Sequence, residues 1–404
     1  MFANPFDDEE LARRLERVRA DMEGRQLDLI LLSTPENIFY LTGLDHWGYF
    51  APHVLIVPAV GEMTLVTRTM ERVSVTRQVR NALFAGHGDS ETAADLTVRL
   101  LERRERSRSA GEELLGEVEE LIEGSLGRAV RFGVETWSSG HSYGFGRALR
   151  ERIDDVEWVD VTGLVDTLRL VKSPAEQALM RQAAKITDLG AGAAIAAIGD
   201  GARESDVAAE CIAAMVRAGG AAPGFGPFIR PGGRLDEEHA TWGDSVYQHG
   251  QPVFVELSGC VSRYHAPLGR LVHIGAIRKE DARMAETAGR AFDAVLGALR
   301  PGVAAREVYA AWQEVVDDAG LSHYRRHHCG YCVGIGFPPS WTGGNSVTGL
   351  RADSDLEIRE GMSFHILSWL MGTGQGDYFL SNTVLLGQHG AEVVTQTPGG
   401  PLVK

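Results

Sequence analysis

Apolar positions in the first 165 residues alternate between helical and strand-like spacing. Between residues 8 and 25, Leu11, Leu15, Val18 and Met22 recur at helical spacing and predict an amphipathic helix. LDLILLS (28–34) is a short continuous apolar run and predicts a buried strand. Further strands are predicted at VLIVPA (54–59), EMTLVTR (62–68), VRFGVE (130–135) and VEWVDV (156–161), with helices near 92–104, 111–124 and 139–152 between them. The pattern then changes at LVKSPAEQALM (170–180). Ser173 can cap a helix there, Pro174 suits its first position, and Glu176 completes the three-residue spacing of a capping box.

From that point the pattern runs helix, helix, strand, strand, and then repeats. Helices are predicted at 175–199 and 203–218, and strands at 252–257 and 261–275. A Gly/Pro-rich loop separates them. Helices at 279–299 and 304–319, broken by Pro301 and Gly302, precede strands near 330–337, 362–370 and 378–387. The expected organisation is a small α/β domain over residues 1–165 and an internally duplicated α+β domain over 166–404.

Length and charge narrow the functional classes. At roughly 150 residues per domain, 404 residues suit two domains. Hydrophobic residues at 44% and charged residues at 24% exclude a disordered or fibrous chain. Lys plus Arg number 40 and Asp plus Glu 55, a net charge of −15, which argues against a nucleic-acid partner. The acidic opening MFANPFDDEELARR lacks the basic and apolar regions of a secretory signal, and no run approaches 18 apolar residues. A cytoplasmic location without membrane contact is expected. Four cysteines (Cys211, Cys260, Cys329, Cys332) are too few for a disulfide framework. Cys329-x-x-Cys332 has no second pair at zinc-site spacing, and GTGQG (372–376) lacks the strand-to-helix setting of a phosphate loop.

Polar residues inside apolar strands are more informative. Glu256 interrupts PVFVELSGC (252–260), and His265 lies in the strand that follows. A buried charge is costly unless it is paired or used, although one face of an antiparallel sheet is often wet. His365 repeats the pattern in GMSFHILSWL (361–370), and Tyr331 sits in the glycine-punctuated CGYCVGIGF (329–337). The loop GFGPFIRPGGRLDEEHATWGD (224–244) presents His239 and Trp242. Histidine exchanges protons readily near neutral pH, so a loop histidine is a reasonable general acid or base. His327 and His328 stand beside Arg325 and Arg326 and suggest a surface turn.

At these residues the chain resembles the creatinase/aminopeptidase P/methionine aminopeptidase superfamily, whose catalytic domain has the duplicated pita-bread α+β fold. PENIFYLTG (35–43) and LRLVKSPAEQALMRQAA (168–184) are similar to the N-terminal domain and junction of creatinase-like members, so the resemblance covers nearly the whole chain. Metal-dependent members hold two metal ions with two Asp, one His and two Glu. The matching positions here read Glu256, Pro267, Tyr331, His365 and Ser381. One Glu and one His are too few to hold a metal pair, so the resemblance implies a metal-free branch with no cofactor. HATWGD, FVELSGCVSRYHAPLGR, GYCVGIGFPPSW and GMSFH are most similar to the ectoine hydrolases of that branch.

The resemblance implies hydrolysis of a C–N bond in a small cationic amidine or guanidine that carries a carboxylate. Glu256 would attack the electron-poor carbon or orient water, and His239 would carry the proton to the departing nitrogen. His265, Tyr331 and His365 would hold the intermediate and tune Glu256. Arg230, Arg263 and Arg270 are candidates for a carboxylate clamp, and Trp242 for holding His239. Trp47, in DHWGYF (45–50), would cap the pocket across a homodimer interface. The alternatives are a metal-dependent Xaa-Pro-type peptidase and a non-catalytic binding protein on the same fold.

Overall fold

The computed structural model describes residues 4–102, 129–344 and 346–404, so the helix expected at 111–124 lies outside the described residues. The chain divides into two compact units, Met1–Arg169 and Leu170–Lys404. The division falls between the expected boundary at 165 and the helix that Ser173 caps.

The first unit opens with α1 (Asp8–Gly24), where the Asp7 side chain accepts the Glu10 N–H at 2.7 Å. It continues through β1 (Leu29–Leu32), α2 (Pro35–Thr42), β2 (Val54–Pro58), β3 (Met63–Arg68), α3 (Arg72–Gln78), β4 (Ala82–His87) and α4 (Ala93–Glu102). After the undescribed stretch come β5 (Val130–Val134), α5 (Tyr143–Arg152), β6 (Val156–Asp160) and α6 (Leu164–Arg169). The strands form one sheet in the order β4-β3-β2-β1-β5-β6. Leu29, Leu31, Val54, Ile56, Phe132 and Val134 share a core with Val98, Phe145 and Leu149 from α4 and α5. Periodicity missed α2, because all of its residues after Pro35 are buried and no polar face marks the helix.

In the second unit α7 (Pro174–Ala197) carries the expected capping box, with Ser173 Oγ accepting the Glu176 N–H and the Glu176 carboxylate accepting the Ser173 N–H. It is followed by α8 (Glu204–Arg217), β7 (Phe228–Pro231), β8 (Pro252–Val261) and β9 (Tyr264–His273). Then come α9 (Lys279–Ala298), α10 (Ala305–Val316), β10 (Gly330–Cys332), β11 (Ser363–Leu370), β12 (Tyr378–Gly387), β13 (Gly390–Val393) and β14 (Leu402–Val403). The sheet order is β10-β11-β12-β9-β8-β7, with β13 on β12 and β14 on β9. Read from its middle, the two halves mirror each other, which is the duplication that the helix-helix-strand-strand repeat predicts. β7 lies in the stretch read as loop, and the strand expected over 330–337 keeps only three residues. The β8–β9 hairpin turns at Ser262 and Arg263, whose φ of 46° and 65° place both in the left-handed region of a two-residue turn. Among the described residues no helix is long and apolar enough to cross a membrane.

Candidate active site

Alternation along β8 decides what faces the site. Val253, Val255 and Leu257 join Ile229, Leu268, Val272 and residues of α7 and α8 in a packed core. Phe254 and Glu256 therefore emerge on the opposite face, where Glu256 pairs in register with Phe228 of β7 and Gly269 of β9. On that face lies a cavity of about 390 Å³. Its wall includes Glu256, Glu238, His239, Arg326, His327, His328 and Tyr331, with Phe225, Phe228, Trp341 and Trp369 as aromatic surfaces.

Glu256 is 7% exposed, and burial raises its carboxyl from 4.5 to about 8 against the opposing pull of Arg230. Its Oε1 stands 3.8 Å from His365 Nε2. Burial disfavours the charged form of both groups, raising Glu256 and pushing His365 well below its ordinary value, so the geometry does not make the contact an ion pair. His365 sits in a chain of hydrogen bonds. Trp341 Nε1–H, which can only donate, reaches Tyr331 Oη at 3.0 Å. The phenol is more acidic than a neutral imidazole, so its O–H donates to His365 Nδ1 at 2.8 Å, leaving Nε2–H for Ser381 Oγ at 2.7 Å. Tyr331→Phe should thus strand the Trp341 and His365 nitrogens and cost roughly 2–5 kcal/mol of unfolding free energy, read by urea denaturation. A loss below about 0.5 kcal/mol would show that the chain carries no such weight.

The structure brings Glu256, His239 and Tyr331 to one cavity and leaves the other expected residues outside its wall. His365 lies behind Tyr331. His265 is fully buried off the cavity wall, and its Nε2 accepts the Gly224 N–H at 2.9 Å, fastening the loop that carries Phe225 to the hairpin. Its ring is pushed down to about 4 by burial and by Arg263. None of the three arginines expected to clamp a carboxylate lines the cavity. Arg270 is saturated by the carbonyls of Gly269, Ser381, Thr397 and Pro398 and by Asn382 Oδ1. Arg263 occupies the hairpin turn with its guanidinium over Phe337. Arg230 is buried over Phe254, and its Nη1 donates to the Ala240 carbonyl at 3.2 Å. Trp242 is partly exposed and off the cavity wall. Trp47 is 61% exposed in the first unit.

Reading Arg326, His327 and His328 as a surface turn missed three wall residues, and Glu238 was passed over beside His239. The available signal was proximity: the basic stretch ends three residues before Tyr331. Arg326 Nη1 donates to Glu238 Oε1 at 2.8 Å, and the His328 ring stands edge-on to Tyr331 with centroids 5.4 Å apart.

Residues 178–388 match the model of Metallopeptidase family M24, and residues 14–171 match the Creatinase/Prolidase N-terminal domain. The chain belongs to the M24 hydrolase family and has its two-domain creatinase/prolidase architecture. It is 26% identical to an uncharacterized hydrolase/peptidase of Sinorhizobium fredii, over 99% of this chain and 98% of that one. It is 25% identical to the ectoine hydrolase of Halomonas elongata, with the same coverage of both. Among solved structures, the Xaa-Pro dipeptidase from Bacillus anthracis superposes with a TM-score of 0.79 at 20% identity, over 98% of this chain and 100% of that one.

The family name implies a metal, and the residues here do not fit one. Of the five positions that the sequence resemblance sets against the two-metal ligands, Pro267 has no side-chain donor, Tyr331 and Ser381 are neutral hydroxyls, and both His365 nitrogens are taken by those hydroxyls. Glu256 is the only carboxyl among them. Among the described residues no group of three or more His, Cys, Asp or Glu could hold a metal ion.

Proposed function

We propose that the chain hydrolyses a C–N bond in a small cationic amidine or guanidine that carries a carboxylate, and does so without a metal. The observation that supports this most is Glu256, a single buried carboxyl in an aromatic-walled cavity whose family ligand positions hold no other acid. A cation entering the cavity stabilises the ionised carboxyl, and aromatic faces favour cations too. An amidinium carbon is already electron-poor and needs less Lewis-acid help than an amide. Glu256 either attacks that carbon or removes a proton from attacking water, and His239 delivers a proton to the nitrogen as its bond to carbon breaks. Water is consumed, and the products are an amine and an amide, or a urea from a guanidine. The relative named ectoine hydrolase supports this reading. The family name and the dipeptidases among its relatives favour a Xaa-Pro peptidase as the second reading, against which the ligand positions argue. A cytoplasmic homodimer remains part of the proposal.

The test is a panel of ectoine, hydroxyectoine, creatine and a Xaa-Pro dipeptide, assayed with and without chelator alongside elemental analysis. Turnover of an amidine or guanidine that survives chelation, with no stoichiometric divalent metal, is expected. About two zinc or manganese ions per chain, with activity lost on chelation, would overturn the proposal.

A further inference from the structure

The cavity has a second charged pole. Arg326, four residues before β10, lines it with its guanidinium carbon 4.7 Å from the centre of the Trp369 ring, and Trp369 is also in the wall. The Arg326 carbonyl accepts the Tyr309 O–H at 2.6 Å, which holds the backbone there. Among the described residues its ion partner is Glu238, 2.8 Å away and in the same wall. The Arg326 side chain is 19% exposed and that of Glu238 is 43% exposed, so the cation is the seated member and the carboxylate the easily displaced one. Arg351, the other guanidinium in the wall, is 45% exposed and tied to Asp353, where solvent screens it.

We propose that Arg326 selects the anionic end of the ligand, whose carboxylate displaces Glu238 from it. The inference rests on the proposed reading, which puts the cationic end at Glu256, and adds where the carboxylate of that short zwitterion is held. Exchange of one carboxylate for another leaves the guanidinium paired throughout, so an incoming acid meets no cost of an unpaired buried cation. A ligand without a carboxylate leaves the Arg326–Glu238 pair in place.

The test uses two inert ring cations that differ in the carboxylate, pipecolate and pipecolamide, titrated calorimetrically into the whole protein. Wild type is expected to prefer pipecolate by roughly 10- to 100-fold, the range of a charge-assisted hydrogen bond. Arg326→Met should abolish that preference while leaving the affinity for pipecolamide within about threefold. Arg326→Lys, which keeps the charge, should retain part of it. Glu238→Gln should raise the preference by removing the competing carboxylate. A preference that persists in Arg326→Met, none in wild type, failure of wild type to bind either probe, or a loss in Glu238→Gln as large as in Arg326→Met would each overturn the proposal. Neither probe has an amidine carbon, so the outcome is independent of the hydrolysis assay. A carboxylate preference without C–N hydrolysis defeats only the proposed function, and hydrolysis without the preference defeats only this inference.

Discussion

Glu256→Gln is expected to lower turnover by about a thousandfold or more while the protein stays folded. Glu and Gln are nearly isosteric, so packing changes little, but the amide can neither attack an amidinium carbon nor hold its charge. The titration of Glu256 adds a signature. Burial raises it from 4.5 to about 8, so in the empty enzyme the reactive carboxylate is the minority form at neutral pH. In wild type kcat/KM should rise with pH and level off above about 8, whereas the limb in kcat should lie lower, because a bound cation favours the ionised form. The stability effect has the opposite direction. A folded-state value above the unfolded one means that Glu256 contributes its stability below pH 4.5 and loses it as pH rises through about 8. Glu256→Gln does not titrate, so its unfolding free energy should gain on wild type across that window by about a few kcal/mol. Near wild-type kcat in a folded variant would make Glu256 a structural residue.

Much of the fold was legible because it depends on local signals. The Ser173-Pro174-Glu176 cap and the apolar run of β8 are written in neighbouring residues, and each produced its element. Glu256 stood out for the same reason, as a carboxylate in an apolar run. What failed depends on residues distant in sequence. Arg270 resembles a free clamp until the segment at Thr397 and Pro398, more than a hundred residues away, supplies carbonyls that saturate it. His265 reads as a second catalytic histidine until the loop at Gly224 takes its Nε2. Arg326, His327 and His328 form a basic run with no periodicity, which alone describes a solvated turn. Pairing of β10 with β11, Tyr331 opposite His365, sets the strand that follows this run beside the catalytic face.

His239→Ala is expected to reduce kcat by about 10²- to 10⁴-fold, the usual share of general acid–base catalysis, with KM changed by less than about threefold. The amine released from an amidine departs poorly unless it is protonated, so the step needs a group in the wall that can give up a proton. The histidine stands on a turn held at its far side, where the Ala240 carbonyl accepts from Arg230. The rings of Phe225 and Phe228 lie 6.2 and 6.1 Å from its own, which limits how far it can swing. Burial and the adjacent His327 push His328 down to about 3, and burial lowers His327 as well, so in both rings burial disfavours the protonated form. His265 and His365 are enclosed behind the wall with hydrogen-bond partners of their own. Small imidazoles added to the His239→Ala variant should restore part of the lost rate, because the cavity opens at the vacated side chain. An unchanged kcat with a raised KM, and no rescue, would make His239 a binding residue and leave water as the proton donor to the departing nitrogen.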